Sequence, residues 1–220
     1  VAFFDMDGTL VAGFTAFAFA LERMRRPGPA DLGVGAIALQ YQLGRVDFAQ
    51  LLRASARAMA GSTTDEVAEV ARAVYEDQIA SWVYPEARTI IESHRARGHR
   101  VVLISAANEF QVVHVAADLD VDHVISNRLE VDADGPLTGE VATPIVHGPG
   151  KAASAIEFAE SGGFDLGDAF FYTDGYEDLP LLELVGHPQP LNPDRRLARE
   201  AKKRGWTEAS FESRGRPTRS

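Results

Sequence analysis

Short apolar runs recur along this chain with amphipathic helical stretches between them, which is the pattern of a buried parallel sheet wrapped by helices. Residues 1–4, Val-Ala-Phe-Phe, are uniformly apolar and β-prone, as a strand buried on both faces requires, and Gly8 then frees the backbone to turn. After Leu10 the pattern becomes Ala-rich helix. Phe14, Phe17, Leu21 and Met24 share one helical face, and Pro27-Gly28-Pro29 ends that segment. The periodicity predicts further helices near residues 30–43, 48–59 and 64–80, the last opened by the capping candidates Ser62 to Asp65. Such helices with short connections would form a small bundle. Tyr84-Pro85-Glu86 starts another helix, which Gly98 stops.

From there helix and strand alternate. Strands are predicted at residues 101–105, 121–126 and 169–173, and helices at 108–119, 151–160, 177–185 and 194–204. Residues 128–131 and 137–141 flank Asp134-Gly135, a hairpin signal. The sum is an α/β protein, a doubly wound parallel sheet with a helical cap inserted after the first strand. The expected division is a core of residues 1–11 and 82–212, a cap of 12–81, and a linker or tail at 213–220.

Composition narrows the function. A chain of 220 residues, 45% hydrophobic, can bury a sizeable core. Its formal charge of -10 argues against general nucleic-acid binding, which runs through Lys and Arg. The charge is uneven: residues 195–220 carry +6, so the remainder carries -16. A solvated terminal helix accounts for that, and contact with an anionic membrane or a partner domain is the sharper alternative. With no cysteine there is no disulfide, thiolate metal site or cysteine nucleophile, which fits a reducing, cytoplasmic setting. No apolar run approaches the length of a bilayer span.

The chemistry gathers at strand ends. Asp5 and Asp7 close the first strand, Ser105 closes the second, Lys151 opens a helix after Gly148-Pro149-Gly150, and Asp174 and Asp178 follow the strand at 169–173. The carboxyl edge of an open α/β sheet is where ligands bind. Carboxylates crowded there repel unless a cation joins them, and an oxygen-only donor set without Cys or His favours magnesium. In that setting Asp5 could attack phosphorus, with Lys151 and magnesium drawing charge from the phosphoryl oxygens. Asp7 could protonate the leaving oxygen and then activate water. Ser105 and nearby amides could hold a phosphoryl oxygen. Asp174 would bind the metal, with Asp178 completing or orienting the site.

These motifs, in this order, resemble the haloacid dehalogenase superfamily of phosphohydrolases over nearly the whole chain. Asp5-Met6-Asp7-Gly8-Thr9-Leu10 matches the first motif, Ser105 in Leu103-Ile104-Ser105-Ala106-Ala107 the second, Lys151 the third, and Asp174 with Asp178 the fourth. The resemblance implies a magnesium-dependent phosphomonoesterase acting on a small or lipid-derived phosphate ester. Its catalytic residues would be Asp5, Asp7 and Lys151; Thr9, Ser105, Ala106 and Phe14 would meet the substrate. Asp5, Asp174, Asp178 and the main-chain carbonyl of Asp7 would hold the metal.

The helical cap and the hairpin at residues 134–139 resemble the phosphoserine phosphatase branch, but its substrate contacts are altered. Phe14 stands where that branch has a Glu for the substrate amine, Ser55 where it has an Arg for the carboxylate, and Glu177 where it has an Asn. Arg53 and Arg57 are neighbours of Ser55 and candidates to replace the lost cation. The stretches around Phe14, Tyr172, Asn192 and Arg214 resemble the phosphatase-like domain fused ahead of a lysophosphatidate acyltransferase in actinobacterial chains, which would bring membrane proximity through the fused domain. Two alternatives stay open: a catalytically weak regulatory domain, and a phosphoserine phosphatase with rearranged contacts. A P-loop is excluded by Ile145 and Ala152 around Gly150-Lys151.

Overall fold

Strand β1 (Ala2–Phe4) is fully buried and stands at the centre of a five-stranded sheet, ordered β3-β2-β1-β6-β7 with every neighbouring pair parallel. The other strands are β2 (Val101–Asn108), β3 (His123–Asn127), β6 (Phe170–Thr173) and β7 (His187–Pro190). A separate hairpin pairs β4 (Leu129–Val131) with β5 (Leu137–Val141). The computed structural model describes residues 1–25, 36–37, 39–41, 43–133 and 135–211, without the side chains of 23–25.

Alternate residues of each strand face opposite layers, which is why the short β1 can anchor both. Phe4, Val101 and Leu103 pack on one face with Ala87 and Ile91 of α4 (Pro85–Ala96) and with Val112 and Val115 of α5 (Glu109–Asp118). Phe3, Val102 and Ile104 pack on the other with α6 (Pro149–Gly162), α7 (Leu179–Leu182) and α8 (Arg195–Arg204). Helices therefore cover both faces, as the apolar strands demand. The chain leaves β1 for β2 on one side and reaches β6 on the other, so the order reverses at β1, where such sheets open a crevice.

Between β1 and β2 the chain forms α1 (Thr15–Arg25), α2 (Phe48–Ala58) and α3 (Thr64–Asp77). Asp47 and Thr63 close capping boxes with Gln50 and Glu66 at the starts of α2 and α3. Phe48, Leu52, Ala56 and Met59 bury themselves with Val67 against Leu129, Leu137 and Val141 of the hairpin. Backbone bonds from Gly61 to Leu137 and from Leu137 to Ser62, both 2.8 Å, grip the turn between α2 and α3. These helices form a layer tied to the hairpin.

Several elements differ from the sequence expectation. The pattern does not predict β7, because Pro188 and Pro190 remove ladder donors; it is tolerated as an edge strand. The helix expected at 177–185 is a 3-10 turn (Tyr176–Asp178) followed by the single turn of α7, which Glu183 ends. The helix expected at 64–80 gives way to a 3-10 turn at Ile79–Trp82. Strand β2 runs past Ser105 to Asn108, which caps α5. The predicted helix at 30–43 falls largely outside the described residues, as do the Met24 side chain, Asp134 and the tail at 213–220. Among the described residues no helix is long and apolar enough to cross a membrane.

The sheet face under α4 holds a histidine cluster. His94, 2% exposed, shares hydrogen bonds with His99 (2.8 Å) and with the Tyr172 hydroxyl (2.9 Å), and Tyr172 stacks on Phe4 at 4.6 Å. Burial, then the charges of His99 and Arg97, push the His94 pKa down from 6.5 to about 4. A base with a depressed folded-state pKa stabilises the fold above its unfolded value and loses that contribution as pH falls. The His94 contribution to stability is therefore expected to decline between pH 6.5 and about 4. The decline in urea melts should be steeper in the wild type than in His94→Gln by roughly 1–2 kcal/mol. Equal slopes would place the acid sensitivity elsewhere.

Candidate active site

The registers Phe4↔Leu103 and Phe4↔Tyr172 align the ends of β1, β2 and β6, so the polar residues that follow meet on one edge. Lys151, in the first turn of α6 and 3% exposed, reaches into that edge. Its Nζ donates to Asp5 Oδ1 at 2.6 Å and to Asp178 Oδ2 at 2.7 Å. Asp178 Oδ2 also accepts from Thr173 Oγ1 at 2.7 Å. Burial alone would lower the Lys151 pKa, but the two carboxylates more than offset it and raise it. The ammonium is fixed in its charged form.

Asp7 is held from the cap side. Thr15, the first residue of α1, donates its amide to Oδ1 (3.0 Å) and its hydroxyl to Oδ2 (3.2 Å). The carboxylate thus caps the helix amino terminus, where a negative charge is favoured. Burial nonetheless pushes the Asp7 pKa up to about 7, against the two Thr15 bonds and with help from Asp5. Asp5 is pushed up to about 6, by burial first, with Lys151 opposing and Asp178 assisting. Asp174 is pushed up to about 8, by burial and then by Asp5.

Asp174 is positioned from three sides. Its amide donates to Thr9 Oγ1 at 3.0 Å, and that hydroxyl donates back to Asp174 Oδ1 at 3.4 Å. Its carbonyl accepts from the Asp194 amide at 2.8 Å. Gly8 lies under its carboxylate with a φ of 76°, and a Cβ there would collide with Oδ2. Asn192 ties the two loops by donating Nδ2 to the Gly8 carbonyl at 3.0 Å.

A cavity of about 230 Å³ opens over this edge. Asp5, Asp7, Ser105, Ala106, Lys151, Asp174, Asp178 and Phe14 all line it. Thr9 does not: it is fully buried and its hydroxyl is spent on Asp174. Ser105 Oγ accepts from the Ala107 amide at 3.1 Å, which leaves its proton for a ligand. The cavity also has walls that sequence reasoning did not assign: Tyr41, His147, Asp194, and Phe48 beyond its part in the cap. His147 stacks on Phe48 at 4.4 Å, joining the loop before α6 to the first residue of α2 at the cavity wall. Among the described lining residues Lys151 is the one Lys or Arg. Arg53 and Arg57 are exposed and line neither this cavity nor its neighbour under the cap.

The donor set fits a hard divalent cation. Asp5 and Asp174 face the cavity with pKa values raised by burial and by neighbouring carboxylates, Asp178 for Asp5 and Asp5 for Asp174, a repulsion that a cation would relieve. Asp178 is committed to Lys151 and Thr173, and among the described residues no three acidic or histidine side chains already converge on one point. Two carboxylates with water in the remaining positions is an ordinary magnesium environment.

The family model for haloacid dehalogenase-like hydrolases matches residues 2–183. A protein of Streptomyces azureus named for inhibition of morphological differentiation is 35% identical over 217 residues, spanning 96% of this chain and 78% of that one. A histidinol-phosphatase of Neisseria meningitidis is 30% identical over 220 residues, spanning 96% and 98%. A phosphoserine phosphatase of Mycobacterium tuberculosis is 30% identical over 217 residues, spanning 96% and 70%. Among solved structures, a Bordetella pertussis protein of unknown function superposes with a TM-score of 0.86 at 26% identity, over 96% of this chain and 98% of that one.

The contact between Gly8 and Asp174 can be tested by crowding it. Gly8→Ala adds a Cβ at a positive φ against the half-buried Asp174 carboxylate, and should lower stability by about 1 kcal/mol or more. Gly8→Ala/Asp174→Gly should recover part of that loss, because the colliding group is gone. A Gly8→Ala variant that melts like the wild type would refute the close approach.

Proposed function

The chain belongs to the haloacid dehalogenase-like hydrolases, and on that premise we propose that it is a magnesium-dependent phosphomonoesterase working through an aspartyl phosphate on Asp5. The observation that carries this reading is the bridge from Lys151 to Asp5 Oδ1 and Asp178 Oδ2, which leaves Asp5 its second oxygen for attack. The names of the histidinol-phosphatase and phosphoserine phosphatase relatives support phosphate-ester hydrolysis. Residues 12–81 act as the cap over a core of 1–11 and 82–212.

The chemistry is divided by position. Asp5 attacks phosphorus while Lys151, held by both carboxylates, faces the phosphoryl oxygens and offsets their charge. Ser105 gives its free proton, and the backbone at Ala106 its amide, to a phosphoryl oxygen. Asp7, with a pKa near 7, can carry a proton at neutrality; it donates to the leaving oxygen and takes a proton from the water that cleaves the aspartyl phosphate. Asp5 and Asp174 would hold magnesium, with Asp178 positioning Lys151 and the Asp7 carbonyl as a further oxygen donor. When bound, the metal supplies charge neutralisation between the carboxylates and the phosphoryl group. Thr9 acts through Asp174.

Phe14, on the cavity wall beside Asp7, meets the leaving group. Ser55 offers no charge and Arg53 and Arg57 point elsewhere, so a substrate carboxylate finds no partner among the described lining residues. The substrate is therefore a small or lipid-derived ester with a weakly polar body, and phosphoserine is disfavoured. Glu177 at the cavity wall lies 3.9 Å from the exposed Arg196.

Phosphate release from a panel of amino-acid, sugar, nucleotide and glycerol phosphates with magnesium tests the reading. Asp5→Asn should cut turnover by at least about a thousandfold while the protein stays folded. A variant with near-native turnover would remove Asp5 as nucleophile, and efficient, selective phosphoserine hydrolysis would overturn the substrate assignment. Magnesium should raise the wild-type melting temperature and leave Asp174→Ala unaffected. An equal rise in both would mean the metal sits elsewhere.

A further inference from the structure

Beside the catalytic cavity lies a smaller one of about 80 Å³, and the two share Asp7, Phe14, Phe48 and Ala106. The rest of its wall is mostly apolar, with Phe19 and Ala20 from α1 and Leu51, Leu52 and Met59 from α2 and its end. Three further polar residues line it, and each has a side-chain oxygen already engaged with the backbone. The Ser55 hydroxyl donates to the Leu51 carbonyl at 3.0 Å. Asn108 Oδ1 accepts from the amides of Phe110 and Gln111 at 3.1 and 3.2 Å, and Gln111 Oε1 accepts from the Asn108 amide at 3.0 Å. Both oxygens of Asp7 are likewise bonded to Thr15.

We propose that this side cavity receives the leaving group, and that the substrates are phosphate monoesters of short, uncharged, apolar alcohols. The inference rests on the phosphatase reading, since it needs the leaving oxygen beside Asp7. In-line displacement puts that oxygen opposite Asp5, and Asp7 lines both cavities where Asp5 lines only the larger. What the oxygen carries therefore passes Asp7 into the apolar side. A carboxylate there would be desolvated without a counter-charge, and a hydroxyl would exchange water for a mostly apolar wall whose few polar side chains are already hydrogen-bonded. Each methylene, in contrast, gains by leaving water.

Size sets the class as much as polarity does. A space of about 80 Å³ has room for roughly five methyl-sized groups. Phe19 and Met59 also line a neighbouring groove with Val67, Val70 and Ala73, so the volume of the side cavity, rather than its outline, sets the limit on what it holds. A long acyl chain exceeds this volume; a short alkyl chain does not. The substrate class is accordingly narrower than lipid-derived esters in general.

The test is kcat/KM for linear alkyl phosphates from methyl to decyl, with glycerol phosphate, phosphoserine and a lysophosphatidate alongside. Values should rise about threefold to fourfold per methylene until the chain reaches roughly five carbons, then level or fall. Ala20→Phe should collapse the ratio of pentyl to methyl phosphate, and Met59→Ala should move the optimum to longer chains, with melting curves confirming that both variants fold. Turnover that depends on Asp5 but is flat with chain length overturns the side-cavity assignment and leaves the phosphatase reading standing. A fastest rate on decyl phosphate or lysophosphatidate overturns the size limit. Absence of turnover on every ester overturns both readings together.

Discussion

One ammonium among buried carboxylates is the constraint on which the rest of this structure depends. Asp5 and Asp178 are buried at the sheet edge beside the half-buried Asp174, and desolvated charges of one sign are costly unless paired. Lys151 supplies the pairing from a residue 146 positions away in sequence from Asp5. That requires α6 to begin at the carboxyl edge and β6 to lie beside β1, so that Thr173 and Asp178 can complete the contact. The order of the strands and the start of that helix are thus tied to the same few polar contacts. In the proposed reaction this arrangement suits Asp5 to attack, since Lys151 holds one of its oxygens and the residue lines the cavity.

A second dependence joins the cap to the chemistry. Asp7 belongs to the core loop, yet both of its oxygens are bonded by Thr15 at the first turn of α1. Anything that shifts α1 therefore shifts Asp7, the residue proposed to carry the proton. The hairpin anchors the opposite end of the helical layer through Leu137 and the turn between α2 and α3, and His147 on Phe48 adds a contact at the cavity wall. The proposed leaving-group selection and proton transfer would share one wall, because Asp7, Phe14, Phe48 and Ala106 border both cavities.

Most of the core was legible in the sequence because its signals are local. Apolar β-prone runs mark β1, β2 and β6, and the residues that close them lie at strand ends where ligands bind. The strand β7 was not legible, since Pro188 and Pro190 read as loop and only its place at the sheet edge permits them. In the site, Asp5, Asp7, Lys151 and Asp174 were readable as a set from their order. Thr15, Asn192 and His147 were not: each matters through a partner distant in sequence or across a loop, and a lone Thr, Asn or His carries no signal of that partner. Thr9 was anticipated as a substrate contact and instead supports Asp174, a difference of side-chain direction that spacing cannot reveal. The apolar side cavity was foreshadowed by Phe14 alone; its shape depends on α2 folding back over the strand ends.

The central claim is that the oxygen of Asp5 left free by Lys151 takes the phosphoryl group. Acid quenching during turnover of a small phosphate ester, followed by borohydride reduction of the acyl phosphate and peptide mass analysis, tests it directly. The account predicts reduction of Asp5 to homoserine in the peptide that carries it, and only when substrate is present. Modification at Asp7 or Asp174 instead, or phosphate release with no modified residue at any quench time, would contradict it.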